Sequence, residues 1–178
     1  MTADKSPPPE IGGIQYYLRL GLETIRLNRD AMAVAAQDSG VLRFGLMATV
    51  LGNAFSVLFY AGWKGVVFFA VFSVATVFLF TAFVHLFAGY TKGKVEFVGL
   101  LRIVALSGII DWLAAIPFAA LIVTLWSIAV AVVGVQEVYG LTKGRAIFCV
   151  LMSACGLWII TAVLFSGPFG EWYGVSSE

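Results

Sequence analysis

A chain of 178 residues that is 61% hydrophobic and only 12% charged, with mean hydropathy +0.97, falls outside the soluble globular class. Soluble domains run about half apolar and about a quarter charged, so composition alone indicates a membrane protein. A net charge of +1 and a pI near 7.8 exclude the basic face of a nucleic-acid binder, and the length leaves room for one domain.

Residues 1–12, with Pro7-Pro8-Pro9, are polar and read as a disordered tail; without the apolar run of a signal peptide, no segment is expected to be cleaved. Residues 13–40 form an amphipathic helical region. Ile14, Tyr17, Leu18, Leu22 and Ile25 recur at spacings of 3 and 4, with Arg19, Glu23 and Arg26 on other faces. Such a helix is too charged to span, and either lies in the headgroup region or packs under the protein's own bundle. Asn28-Arg29-Asp30 interrupts it, and Ala31 to Ala36 forms a second short piece ending at Asp38-Ser39-Gly40.

Residues 41–166 read as five transmembrane helices, 41–62, 65–89, 97–116, 117–138 and 145–166, followed by a short tail over 167–178. In the first, Arg43 is near enough to the start to snorkel, and Ala48, Gly52 and Ser56 make a small-xxx-small row suited to close helix packing, inside the bundle or between copies. Trp63-Lys64 marks a very short turn into the second. The chain is organised around Phe97 to Val138, 42 residues with only three ionisable side chains, Arg102, Asp111 and Glu137. As one helix it would be ~63 Å long, roughly twice the hydrocarbon core, so it folds back once. Ile116-Pro117 is the expected place, since proline disfavours helix before it and is accepted as a first helical residue. Cys149 and Cys155, six apart on the fifth helix, point ~240° apart and read as small apolar fillers. In the tail, Pro168, Trp172 and Tyr173 suit a membrane interface.

Charge sets the orientation. With the N-terminus in the cytoplasm, ten basic residues lie on or near that side (Lys5, Arg19, Arg26, Arg29, Arg43, Lys92, Lys94, Arg102, Lys143, Arg145) and one, Lys64, lies opposite. The C-terminus is then outside or lumenal. Arg19, Arg26, Arg29, Lys92, Lys94, Lys143 and Arg145 make a candidate surface for lipids or a partner.

The single histidine, His85, has no neighbour at metal-ligand spacing, and neither a nucleophile elbow nor a P-loop occurs, so no enzyme, metal or cofactor is expected. What stands out are ionisable groups at membrane depth, which default to a functional hypothesis against a snorkelling or paired structural role. His85, Arg102 and Glu137 share a level near the cytoplasmic end and form a candidate intramembrane cluster, in which Arg102 and Glu137 are expected to pair. Asp111, ~20 Å along its helix from Phe97, is an acidic candidate in the outer half.

His85-Leu-Phe-Ala-Gly-Tyr90 with Lys92-Gly93-Lys94, then Phe97 to Ser107, then Trp126 through Gly134 to Ala146, resemble the Yip family, the Ypt/Rab-interacting multi-spanning proteins. The stretch covers about 70 residues closely and the whole chain loosely; the short N-terminal region resembles that of prokaryotic members. The resemblance implies five spans with a cytosolic N-terminus and brings no catalytic residues. The function expected is therefore that of an integral membrane adaptor organising membranes or acting in vesicle trafficking. Its partners would be membrane lipids, itself or other membrane proteins, and Rab-type GTPases in a eukaryote. Its membrane would be the cell (inner) membrane in a prokaryote and the ER or Golgi in a eukaryote. The alternative is a small transporter or channel subunit. That reading requires Asp111, Asn53 and Glu137 to point into one cavity.

Overall fold

The computed structural model describes residues 13–89, 97–116 and 118–166, the side chains of 58–64 and 115 excepted. The polar tail 1–12, the basic turn with Lys92 and Lys94, Pro117 and the tail 167–178 lie outside the described residues. The protein is all-helical, with no strand among those residues. In order come α1 (Ile14–Ile25), α2 (Arg29–Gln37), α3 (Ser39–Ala88), α4 (Phe97–Ser107), a 3-10 helix (Gly108–Ala115), α5 (Ala119–Tyr139) and α6 (Lys143–Ser166). Five stretches are long and apolar enough to cross a membrane: Ser39–Val57, Gly65–Ala88, Phe97–Ala114, Ala119–Tyr139 and Lys143–Ser166.

The local breaks follow from individual residues. Leu27, in the left-handed region at φ 64°, turns the chain from α1 to α2. Asn28 then caps α2, its side chain accepting from the backbone N–H of Asp30 at 3.0 Å and of Ala31 at 3.4 Å. Asp38 caps α3 in the same way, accepting from the Gly40 N–H at 2.8 Å. Gly140, at φ 62°, closes α5, where a left-handed residue satisfies the last carbonyls without steric cost.

Helix α3 extends from Ser39 to Ala88, across the position expected for the turn, Trp63-Lys64. Yet α3 is not one rod. Leu42, Leu46 and Val77 all pack in the cluster of Leu101 and Ala105, whereas a straight helix would hold Leu42 and Val77 ~50 Å apart. The chain therefore folds back within α3, between Leu46 and Val77, and its two arms lie side by side against α4. The fold-back after the third span also differs. Ile116 is extended, as a residue before proline should be, but Phe118 is left-handed at φ 69° and α5 begins at Ala119, two residues later than expected.

The five spans alternate in direction. Gly45 meets Ala105, Thr49 meets Gly108 and Gly52 meets Trp112, so the first half of α3 runs parallel to α4. Gly134 of α5 meets Ile103 and Leu100, and Val130 packs with Ile103 and Leu106, so α5 runs antiparallel to α4. Val84 packs with Cys149 and Val150, while Phe165 meets Phe68 and Phe72 edge-on, so α6 runs antiparallel to the second half of α3. The third span is central: half of Phe97–Ala114 is buried, against 17% of Gly65–Ala88 and of Lys143–Ser166. Phe118, Leu121, Val163 and Trp158 stand 65–94% exposed on the outside, a surface fit for lipid contact.

The row Ala48, Gly52, Ser56 serves internal packing. Ala48 O accepts from Trp112 Nε1 at 3.1 Å, Gly52 lies under the same indole, and Ser56 donates to Gly52 O at 2.9 Å.

Candidate functional site

The arm formed by α1 and α2 is built into the bundle. Gly21 of α1 lies against Ile109 and Leu106, and Trp126 Nε1 of α5 donates to Ile25 O at 2.9 Å. Tyr17 stacks on Phe44, ring centroids 5.3 Å apart. The alanine face of α2, Ala31, Ala35 and Ala36 with Met32, is buried with Ile103, Leu106 and Val130 in the seam between α4 and α5. Of the two placements considered for α1, packing on the bundle is the one observed. The opposite row, Ile14, Leu18 and Leu22, remains 43–71% exposed beside exposed Arg19 and Arg26.

That seam decides the fate of the expected polar cluster. Arg102 does not pair with Glu137: its Nη1 donates to Ala36 O at 2.7 Å, at the last turn of α2. The carbonyl end of a helix carries partial negative charge, so it is a suitable partner for a guanidinium, and Nε of the same side chain is buried without a partner. Glu137 is half-buried. Its neighbour Gln136 accepts from Arg29 Nη2 at 2.9 Å. His85 turns to Tyr139, its Nδ1 3.1 Å from the phenol oxygen, with Phe97 edge-on to the ring. The three residues thus share a level but not a site. Among the described residues the one ion pair is Arg26–Glu23 on α1, at 3.1 Å, and no group of three His, Cys, Asp or Glu could hold a metal. Lys143 and Arg145 are exposed at the start of α6, and both cysteines are free, Cys149 buried and Cys155 exposed.

Asp111 is placed differently. The α-helix of the third span stops at Ser107 and tightens into the 3-10 helix, where Thr49 shares its proton between Gly45 O at 3.0 Å and Ala105 O at 3.1 Å. Tightening turns Asp111 inward, half-buried, onto a cavity of about 400 Å³ between α3, α4, α5 and α6. The Asn53 side chain reaches its carboxylate, and Asn53 Nδ2 also donates to Thr49 O at 2.9 Å. The walls are apolar (Val77, Phe80, Ile103, Val104, Val130, Leu157) with a scatter of hydroxyls from Thr49, Thr76, Ser107, Thr124, Ser127 and Thr161. Glu137 does not line it.

Comparison with known proteins yields no relative. No family model, no curated protein and no solved structure matches the chain.

The cavity was only partly legible beforehand. Asp111 stood out as a carboxylate in an apolar stretch, but the hydroxyls on four separate elements carry no pattern in the sequence. Their one shared signal is that each interrupts an apolar run.

Proposed function

We propose that the protein is a non-enzymatic, Yip-type membrane organiser, with its N-terminus in the cytoplasm and its C-terminus outside or in the lumen. One observation carries this reading. Of the eleven lysines and arginines, the seven whose side chains are described belong to the N-terminal arm or to the end of the bundle where α3 starts and ends, and Lys64 alone is expected opposite. By the positive-inside rule that end faces the cytoplasm. There Arg29, Lys143 and Arg145 are exposed to anionic headgroups or an acidic partner, each worth about 1 kcal/mol near an anionic surface. The free row of Ile14, Leu18 and Leu22 adds an apolar surface beside Arg19 and Arg26. The partners are membrane lipids and other membrane proteins, further copies included, with Rab-type GTPases added in a eukaryote. The membrane is the cell membrane in a prokaryote and the ER or Golgi in a eukaryote.

Photo-crosslinking tests the adaptor role. A photoreactive residue in place of Leu18, in the full-length protein in its native membrane, should give discrete protein adducts. Arg19→Glu with Arg26→Glu should weaken these several-fold. Adducts to lipid alone would contradict the role.

A second reading, a small transporter or channel subunit, is favoured by the Asp111 cavity with Asn53 beside it. Glu137, away from that cavity, leaves the path without its third polar group.

A further inference from the structure

The Asp111 cavity has a chemistry that selects its occupant. A carboxylate in hydrocarbon is costly unless neutralised or paired, and among the described residues no lysine or arginine side chain lines this cavity. The nearest polar support is the uncharged Asn53. Of the six hydroxyls that line the cavity with Asp111, three have already committed their single proton to backbone carbonyls. Thr49 donates to Gly45 O and Ala105 O, Ser107 to Val104 O at 2.7 Å, and Thr124 to Ala120 O at 2.9 Å. A hydroxyl so used offers only lone pairs to a neighbour. These three of the six lining hydroxyls therefore present acceptors, and with the Asp111 carboxylate and no described cation they favour a cationic donor over an anion. Phe80 and Trp158 add aromatic faces, which attract cations.

The cavity also shows where a ligand enters. Thr124 and Trp158 line it and are exposed, Trp158 at 73%, so among the described residues its wall is open between α5 and α6. That opening lies along the flank of two spanning helices, toward lipid. Its volume of about 400 Å³ falls in the ~300–1,000 Å³ range of small-molecule sites.

We propose that the cavity between α3, α4, α5 and α6 is a binding site for a lipophilic organic ammonium ion, which enters from the bilayer between α5 and α6. The ammonium group donates to the Asp111 carboxylate and the committed hydroxyls, and the hydrocarbon lies along Val77, Val104 and Leu157. The proposal rests on the cavity alone and holds whether the protein organises membranes or transports a solute.

The test uses the full chain in nanodiscs of neutral phosphatidylcholine, with radiolabelled decylamine as the probe at neutral pH and decanol as its uncharged counterpart. Binding above that of empty discs should be saturable, about one per chain, with decanol a much weaker competitor than unlabelled decylamine. Asp111→Asn should weaken decylamine by ~10-fold or more, the scale of one lost charge-assisted contact, and leave decanol unchanged. Ala154→Leu, which narrows the cavity without touching the carboxylate, should weaken both. Binding no greater than in empty discs, equal competition by decanol, or undiminished affinity in Asp111→Asn would each overturn the proposal. Should Asp111→Asn fail to fold, the preference of the unaltered chain for decylamine over decanol decides it.

Discussion

Gly45→Leu should cost more folded protein than any other single change considered. A Cβ at position 45 would stand 2.6 Å from the carbonyl carbon of Ala105 and 2.6 Å from the nitrogen of Leu106. Both are backbone atoms of the central span, held on the other side by α2 and α5, and cannot swing aside as a side-chain tip can. Overpacking a core typically costs about 1–3 kcal/mol, and a clash with backbone belongs at or above the top of that range. Against a total stability of about 5–15 kcal/mol, this should appear as a lower unfolding temperature in detergent and a lower yield. Even Gly45→Ala should be destabilising. Gly144→Leu is the control: nothing lies within 4 Å of a Cβ at that site, so its effect should stay within about 0.5 kcal/mol.

Arg102→Leu is the second. It removes the 2.7 Å bond to Ala36 O and leaves the last turn of α2 without its cation. A hydrogen bond to a charged group contributes roughly 1.5–3 kcal/mol, and loss of that order should loosen α2 from the seam between α4 and α5. Glu137→Leu should be near neutral. In a double-mutant cycle read by thermal unfolding, the two losses should add within about 0.5 kcal/mol, since the side chains have no common partner. A large coupling energy would mean that Arg102 meets Glu137 after all and that α2 does not occupy the seam.

These residues also show how far the sequence could be read. Rise per residue put Arg102 and Glu137 at similar depths on neighbouring spans, and Gly134 of α5 does lie against Leu100 and Ile103. It could not show that α2 lies between α4 and α5 and offers the arginine a carbonyl instead, because depth is a property of one helix and the seam a property of three. The five spans were legible because lipid imposes a simple rule of length and apolarity. The small-residue row does pack internally and extends one turn earlier than Ala48. Gly45 and Thr49 bring the first and third spans into backbone contact, and α4 tightens into a 3-10 helix beside them. Nothing in Ser107-Gly108-Ile109-Ile110-Asp111 announces that change of helix type, yet it turns Asp111 onto the cavity. A reversal between the first two spans was legible at Trp63-Lys64, and the chain does reverse within α3, between Leu46 and Val77.

We propose a bundle of five spans whose basic end, carrying the N-terminal arm, faces the cytoplasm. Reporter fusions at Ser6 and Ser177, scored with one reporter active only inside and one active only outside, test it most directly. The expected result is an inside signal at Ser6 and an outside or lumenal signal at Ser177. Both fusions reporting the same side would contradict an odd number of spans, and with it the alternation of helices on which the whole account rests.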